Sequence, residues 1–410
     1  MRCIIKKILF ILLFIFSFSI FASTKHHLIF IHGIAGKAQT FGSAPEDLVV
    51  YLNQNQSEYH YISHKFLYDT GNDEKDLDHF SKNLEKFLVS KYDSFIDGDV
   101  FSIVAHSQGG LVTLNSLIRS FEGFVDSKVK YLIENKLINF LTYSTPFHGT
   151  EIIKFPKFFK KYIFNTSIWG MKELIGMHLF SEQIENFRKY YVDPRFQKYL
   201  SQIRIHNIGG HFGLLDLSSS SHVIQGDIAV SIPSASMSYQ YISEQTSASV
   251  NMNTFSVIRK LHFGTKNWMS GIAHVPSYCN LTCDDPTWVS MKSFFEKGFH
   301  NTSDKLLEKM KSAILSIRFT KSDKKKVKFK LYRYEDDEPR NGKPRIYLKK
   351  PFGKSIKEVN NEFSHHYMYA AKLKTKFAEF MLEYLDNEGN LQKKFILIKR
   401  NRVNYMEIRI

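Results

Sequence analysis

Short apolar runs alternate with longer amphipathic stretches over the first third of the chain. Residues 28–31 (LIFI) are apolar throughout, as in a strand covered on both faces. A helix-compatible stretch near 45–53 and a strand-like run at 59–67 follow. Over residues 76–92, Leu77, Phe80, Leu84, Phe87 and Leu88 recur at helical spacing, so one face is apolar. The run 100–106 (VFSIVAH) reads as a further strand, 110–118 as a helix and 136–143 as the next strand. Strands alternating with helices over short connections predict a mostly parallel sheet covered on both faces. In such sheets the reactive loops lie at the carboxyl ends of the strands.

The rhythm then changes. Residues 151–193 are long, basic and aromatic, with Phe155, Phe158, Phe159, Ile163, Phe164 and Trp169 beside Lys154, Lys157, Lys160 and Lys161. They read as a cap or lid spanning about 151–197, suited either to lie on lipid or to bury its aromatics over a pocket. A strand is expected at 202–208, and Asp285-Pro286 before an apolar-periodic run marks a capped helix. A connecting helix is expected within 301–317. Beyond it, the alternation Val327-Lys328-Phe329-Lys330-Leu331-Tyr332 and turn signals at Asn341-Gly342 and Asn387-Glu388-Gly389 predict antiparallel strands. The expected organisation is therefore a leader at 1–22, an α/β domain at 23–300 and a small basic β-sandwich-like domain at 318–410.

Two strand ends carry candidate chemistry. In residues 100–110 (VFSIVAHSQGG) a strand stops at a tight turn with Ser107 at its apex and a helix beyond. Ala105 and Gly109 are small, as a strained turn that lifts a serine hydroxyl off a sheet requires. The N–H of Gln108 would then face an oxyanion formed at Ser107. The run 28–31 ends in His32-Gly33-Ile34-Ala35-Gly36, where the N–H of Ile34 is the matching second donor. A nucleophilic serine needs a base oriented by a carboxylate.

With FIHGIAG at 30–36, AHSQGG at 105–110 and TYSTPFHGT at 142–150, the chain resembles the α/β-hydrolase superfamily, in its bacterial lipase- and esterase-like branch. The likeness spans about residues 25–300 and leaves out the C-terminal quarter. It implies the order serine, acid, histidine. Residues 226–235 (GDIAVSIPSA) resemble the family's acid loop, which implies Asp227 as the acid, with Asp216 as runner-up. The family's glycine after the aspartate is Ile228 here, a departure from the pattern. A histidine loop before the last helix implies His274 as the base, with His262 as the alternative. His106 adjoins the nucleophile but should point away from its hydroxyl, and His148 reads as a shaper of its loop. The resemblance implies a serine hydrolase cleaving carboxylic esters, lipids among them, without metal or cofactor.

Composition adds the setting. Arg2, Lys6 and Lys7 precede an apolar run at 8–21, and Ala22 offers a cleavage point before Ser23: an export signal. Periplasm, cell envelope or exterior is the expected location. Cys3 leaves with the leader, so Cys279 and Cys283 remain, too few for zinc and spaced to close a small disulfide loop. The formal charge is +16, and residues 321–410 carry 23 Lys and Arg against 12 Asp and Glu. This excess suits an anionic membrane surface as partner. No nucleic-acid-binding signature accompanies it. The competing reading is a catalytically silent envelope-binding protein on a hydrolase scaffold.

Overall fold

The computed structural model describes residues 24–71, 73–150, 170–211, 225–242, 247–264, 271–279, 283–296, 305–334, 345–346, 351, 353–359 and 361–410. The leader at 1–22, most of the aromatic part of the cap, Asp216 and the Asn341-Gly342 turn lie outside them.

Strands β1 (Lys25–Ile31), β2 (His60–Phe66), β3 (Val100–His106), β4 (Leu137–Tyr143) and β5 (Arg204–Gly210) follow in chain order. A hairpin, β6 (Tyr239–Ile242) and β7 (Ser247–Val250), separates them from β8 (Thr254–Ile258). The central sheet has the order β2-β1-β3-β4-β5-β8, every neighbouring pair parallel. Its interior strands are buried nearly throughout, and in β1 this shows as the unbroken apolar run Leu28–Ile31. On one face Phe80, Leu84 and Leu88 of helix Leu77–Tyr92 pack with Leu111, Leu114 and Leu117 of helix Gln108–Phe121. On the other, Leu48 and Leu52 of helix Ala44–Asn55 meet Trp288, Met291 and Phe294 of helix Pro286–Phe295. Asp285 caps that last helix, accepting from the N–H groups of Thr287 and Trp288, with Pro286 at its first position.

The C-terminal part is built from β9 (Ser312–Lys321), β10 (Phe329–Arg333), β11 (Arg345–Ile346), β12 (Gly353–Val359), β13 (Glu362–Lys372), β14 (Phe377–Leu385), β15 (Leu391–Lys399) and β16 (Val403–Arg409). One sheet has the order β11-β10-β14-β15, the other β12-β13-β9-β16-β6-β7. Leu315, Ile317, Phe319 and Ile408 from the second sheet share a core with Phe380, Leu382, Ile396 and Ile398 from the first.

Two expectations are corrected here. Among the described residues the connecting helix within 301–317 is the short Lys305–Lys309, and residues from Ser312 onward are already β9. Ser312, Ala313, Ile314, Leu315, Ser316 and Ile317 are all buried, so a run covered on every side took the strand rather than an amphipathic helix. The second sheet is also not purely antiparallel, since β16 runs parallel to both β9 and β6. It thereby joins the hairpin at 239–250, which lies within the stretch assigned to the α/β domain, to the C-terminal strands. Among the described residues no helix is long and apolar enough to cross a membrane.

Candidate active site

Ser107 follows β3 and precedes helix Gln108–Phe121, with φ 52° and ψ −123°. For a residue with a Cβ this left-handed turn is strained, and a strand that must reverse into a helix within one residue imposes it. Two glycines make the packing around it possible. A Cβ on Gly109 would lie 2.4 Å from the carbonyl oxygen of His32, and one on Gly33 2.7 Å from Cβ of Ser107. The loops after β1 and β3 therefore approach each other most closely at glycines.

The serine hydroxyl meets a histidine. His262 Nε2 lies 2.8 Å from Ser107 Oγ, and His262 Nδ1 lies 2.9 Å from Asp227 Oδ2. Asp227 is fully buried, and its other carboxylate oxygen accepts from the N–H groups of Ala229 (3.1 Å) and Val230 (2.7 Å). The backbone N–H of His262 donates to the carbonyl of Asp227. A carboxylate can only accept, so His262 carries its proton on Nδ1 and turns a free lone pair on Nε2 toward Ser107. The Ser107 hydroxyl then donates to His262. That is the geometry of a serine nucleophile with its base and orienting acid.

The structure brings Ser107 and Asp227 onto one histidine, and that histidine is His262 rather than the expected His274. His274 lies apart, with Nδ1 3.3 Å from the carbonyl oxygen of Gln39. The physical reason is the sheet edge. Residues 254–258 form β8, the last parallel strand, and His262 sits just past its carboxyl end, level with the ends of β1, β3 and β4. No strand was expected between 236 and 259, so the alternation in TFSVI was the missed signal. The loop bearing His274 instead leads through the Cys279–Cys283 disulfide into helix Pro286–Phe295.

Ile228 adopts φ 83°, the left-handed conformation that glycine supplies without cost. The departure from the family's acid-loop pattern is therefore absorbed by backbone strain and leaves Asp227 in place.

Both residues expected to supply oxyanion donors, Gln108 and Ile34, are buried. Gln108 opens its helix, so its N–H is one of the first-turn donors without an intrahelical partner. Its side chain is held on both sides: Oε1 accepts from the Tyr68 hydroxyl at 3.2 Å, and Nε2 donates to Glu173 Oε2 at 3.0 Å. The Tyr68 hydroxyl also reaches the carbonyl of His32 at 2.8 Å, and Ile34 is buried in the same turn. His32 donates from Nδ1 to the carbonyl of Gly33 and accepts the N–H of Tyr68 at Nε2. Tyr68 and Glu173 were not singled out in the sequence.

The His106 ring lies 4.9 Å from that of His262. Burial, and then the neighbouring His262, hold its pKa well below the usual value, so a neutral ring backs the base. His148 is buried as well, its pKa lowered to about 3 by burial and by Arg188.

Comparison with known proteins bears on the fold and the family. Residues 22–192 match the model of a family described as "Putative serine esterase (DUF676)". Phospholipase PlaB from Legionella pneumophila, solved alone and in complex with thio-NAD, superposes with a TM-score of 0.65 at 13% identity, over 94% of this chain and 93% of that one. The chain has the α/β-hydrolase fold. No protein with a curated description matches the sequence. The lipase- and esterase-like resemblance read from the three motifs stands, and the family match supports a hydrolase.

Proposed function

We propose that the protein is an exported serine hydrolase that cleaves carboxylic esters of lipids, with Ser107 as nucleophile, His262 as base and Asp227 as orienting acid. The observation that carries this reading is the continuous hydrogen-bonded series from Ser107 through His262 to Asp227 at the ends of three parallel strands. His262 takes the hydroxyl proton as Ser107 Oγ attacks the ester carbonyl. The N–H groups of Ile34 and Gln108 receive the oxyanion, and Asp227 stabilises the imidazolium. Collapse expels the alcohol, which takes its proton from His262 and leaves an acyl group on Ser107. Water, activated by the same histidine, then releases the acid.

Lipid as the substrate class is supported by the aromatic, basic composition at 151–169 and by the likeness to a protein named a phospholipase. The excess of positive charge over 321–410 suits an anionic membrane surface as the place of work. Export is supported by the basic and apolar pattern of residues 1–22.

Fluorophosphonate labelling of the mature protein is the direct test, with Ser107→Ala, Asp227→Ala and His262→Ala alongside. Labelling lost in the serine variant and sharply slowed in the other two supports the triad. Turnover of phospholipid vesicles against triacylglycerol and soluble esters then assigns the substrate. Equal labelling of wild type and Ser107→Ala would sink the reading.

A further inference from the structure

The loop at residues 144–150 touches both halves of the candidate site. A Cβ on Gly110, in the nucleophile's helix, would fall 2.0 Å from Thr145 Oγ1, so the loop rests directly on that helix. From its far end the Thr150 hydroxyl donates to the carbonyl of Ala229, in the loop whose N–H groups hold Asp227. Ser234 adds a second tie: its hydroxyl donates to the carbonyl of Gly149 at 2.7 Å and accepts the N–H of His148 at 3.3 Å.

What fixes this loop from outside comes from the last strand of the chain. The Tyr405 oxygen, on β16, accepts Nε–H of Arg188 at 2.7 Å and lies 2.8 Å from His148 Nδ1. Because Arg188 can only donate, the tyrosine hydrogen is directed at His148 Nδ1, which accepts it. Arg188 also donates to the carbonyls of His148 (3.3 Å) and Leu179 (2.9 Å), and its guanidinium stacks 4.9 Å from the Tyr405 ring. Tyr405, His148 and Arg188 are all buried, so these bonds form where water does not compete. The neutral state of His148 matches its role as acceptor.

We infer that Tyr405 is a positioning residue for the hydrolase site, holding through His148 the loop against which the Asp227 turn and the nucleophile's helix are set. The inference rests on the triad proposed above. It gives the C-terminal sheet a part in catalysis distinct from any surface binding: β16 delivers one hydroxyl to the back of the active site. Small displacements of a reacting constellation lower turnover far more than they lower substrate binding.

The test compares Tyr405→Phe with Tyr239→Phe in the full mature protein. Tyr239 belongs to the same aromatic cluster, with its ring 5.6 Å from Tyr405, and its buried hydroxyl has no hydrogen-bond partner among the described residues. With p-nitrophenyl butyrate as substrate, Tyr405→Phe is expected to lose roughly tenfold in kcat with KM nearly unchanged, and to label with fluorophosphonate correspondingly slowly. Tyr239→Phe is expected to match wild type. His148→Phe, which lacks Nδ1, should reproduce the loss from the other end, and His148→Asn, whose amide can stand near Nδ1, should recover most of it. The His148 pair also decides the matter should Tyr405→Phe fail to fold. Wild-type kcat in Tyr405→Phe or in His148→Phe, or a lowered melting temperature alone, overturns the inference. Labelling of wild type that survives Ser107→Ala would instead overturn the triad on which it rests.

Discussion

Lys260 Nζ donates to the carbonyl oxygen of His274 at 2.8 Å and to Asp285 at 2.9 Å. The residue two before the histidine that faces Ser107 thus clamps the backbone of the one that does not. Lys260 is buried, and its ammonium is satisfied by a carbonyl and a carboxylate that cap the same region. The loop of His274 is scaffolding for the loop of His262. Two histidines twelve residues apart therefore have opposite fates under substitution. His262→Gln is expected to lose roughly a thousandfold or more in kcat/KM, as removal of a triad base does, whereas His274→Gln stays near wild type. Steady-state kinetics on a soluble ester separate the two.

Ile228 offers a stability test. A β-branched side chain at φ 83° costs on the order of 1–2 kcal/mol relative to glycine, partly offset by the freedom glycine gains in the unfolded chain. Ile228→Gly should raise stability by about 0.5 kcal/mol in urea titration and leave kcat unchanged. A clear loss of stability would mean that packing of the isoleucine outweighs the strain.

Glu173 is buried, with one carboxylate oxygen accepting from Gln108 Nε2 and the other from the N–H of Gly71 at 2.6 Å. A glutamine there must turn its NH2 toward one of these two donors. Glu173→Gln should therefore loosen the Gln108 side chain and lower kcat by roughly tenfold, because the proposed oxyanion donor belongs to the same residue. Unaltered kcat would show that the backbone of Gln108 is held by its helix alone.

Acid should destabilise the fold through buried histidines. Burial lowers the pKa of His26 to about 3 and that of His206 to about 4, where each ring is hydrogen-bonded in its neutral form. In the unfolded chain both take up a proton near pH 6.5, while the folded chain resists until about pH 4. Stability is thus full above pH 6.5 and falls as the pH drops toward 4, by about 1.4 kcal/mol per pH unit for each such histidine. Melting temperature followed from pH 7 to 4 should show this slope, and His206→Gln should flatten it.

Truncation after residue 317 cuts β9 short and removes β16, so β6 loses its parallel partner and His148 loses Tyr405. The truncated chain should be insoluble or hydrolytically dead, not a free-standing catalytic domain. Full esterase activity from soluble residues 23–317 would contradict the shared sheet.

Local pattern carried much of this protein. The strands β1, β3 and β4 are mostly apolar because both faces of a parallel sheet are buried, and that shows in the residues themselves. The Ser107 turn was equally legible, since a tight elbow demands small neighbours such as Ala105 and Gly109. Asp227 was reached through likeness to a known loop even though Ile228 breaks its pattern. The choice between His262 and His274 was not in the local pattern; it turned on residues 254–258 forming β8 beside β5, four residues before His262. Nor could alternation in the last ninety residues show that β16 would run parallel to β6 and bring Tyr405 beside His148. Periodicity records which face of a strand is buried; which strand lies beside it, and in which direction, is settled by contacts between residues hundreds of positions apart.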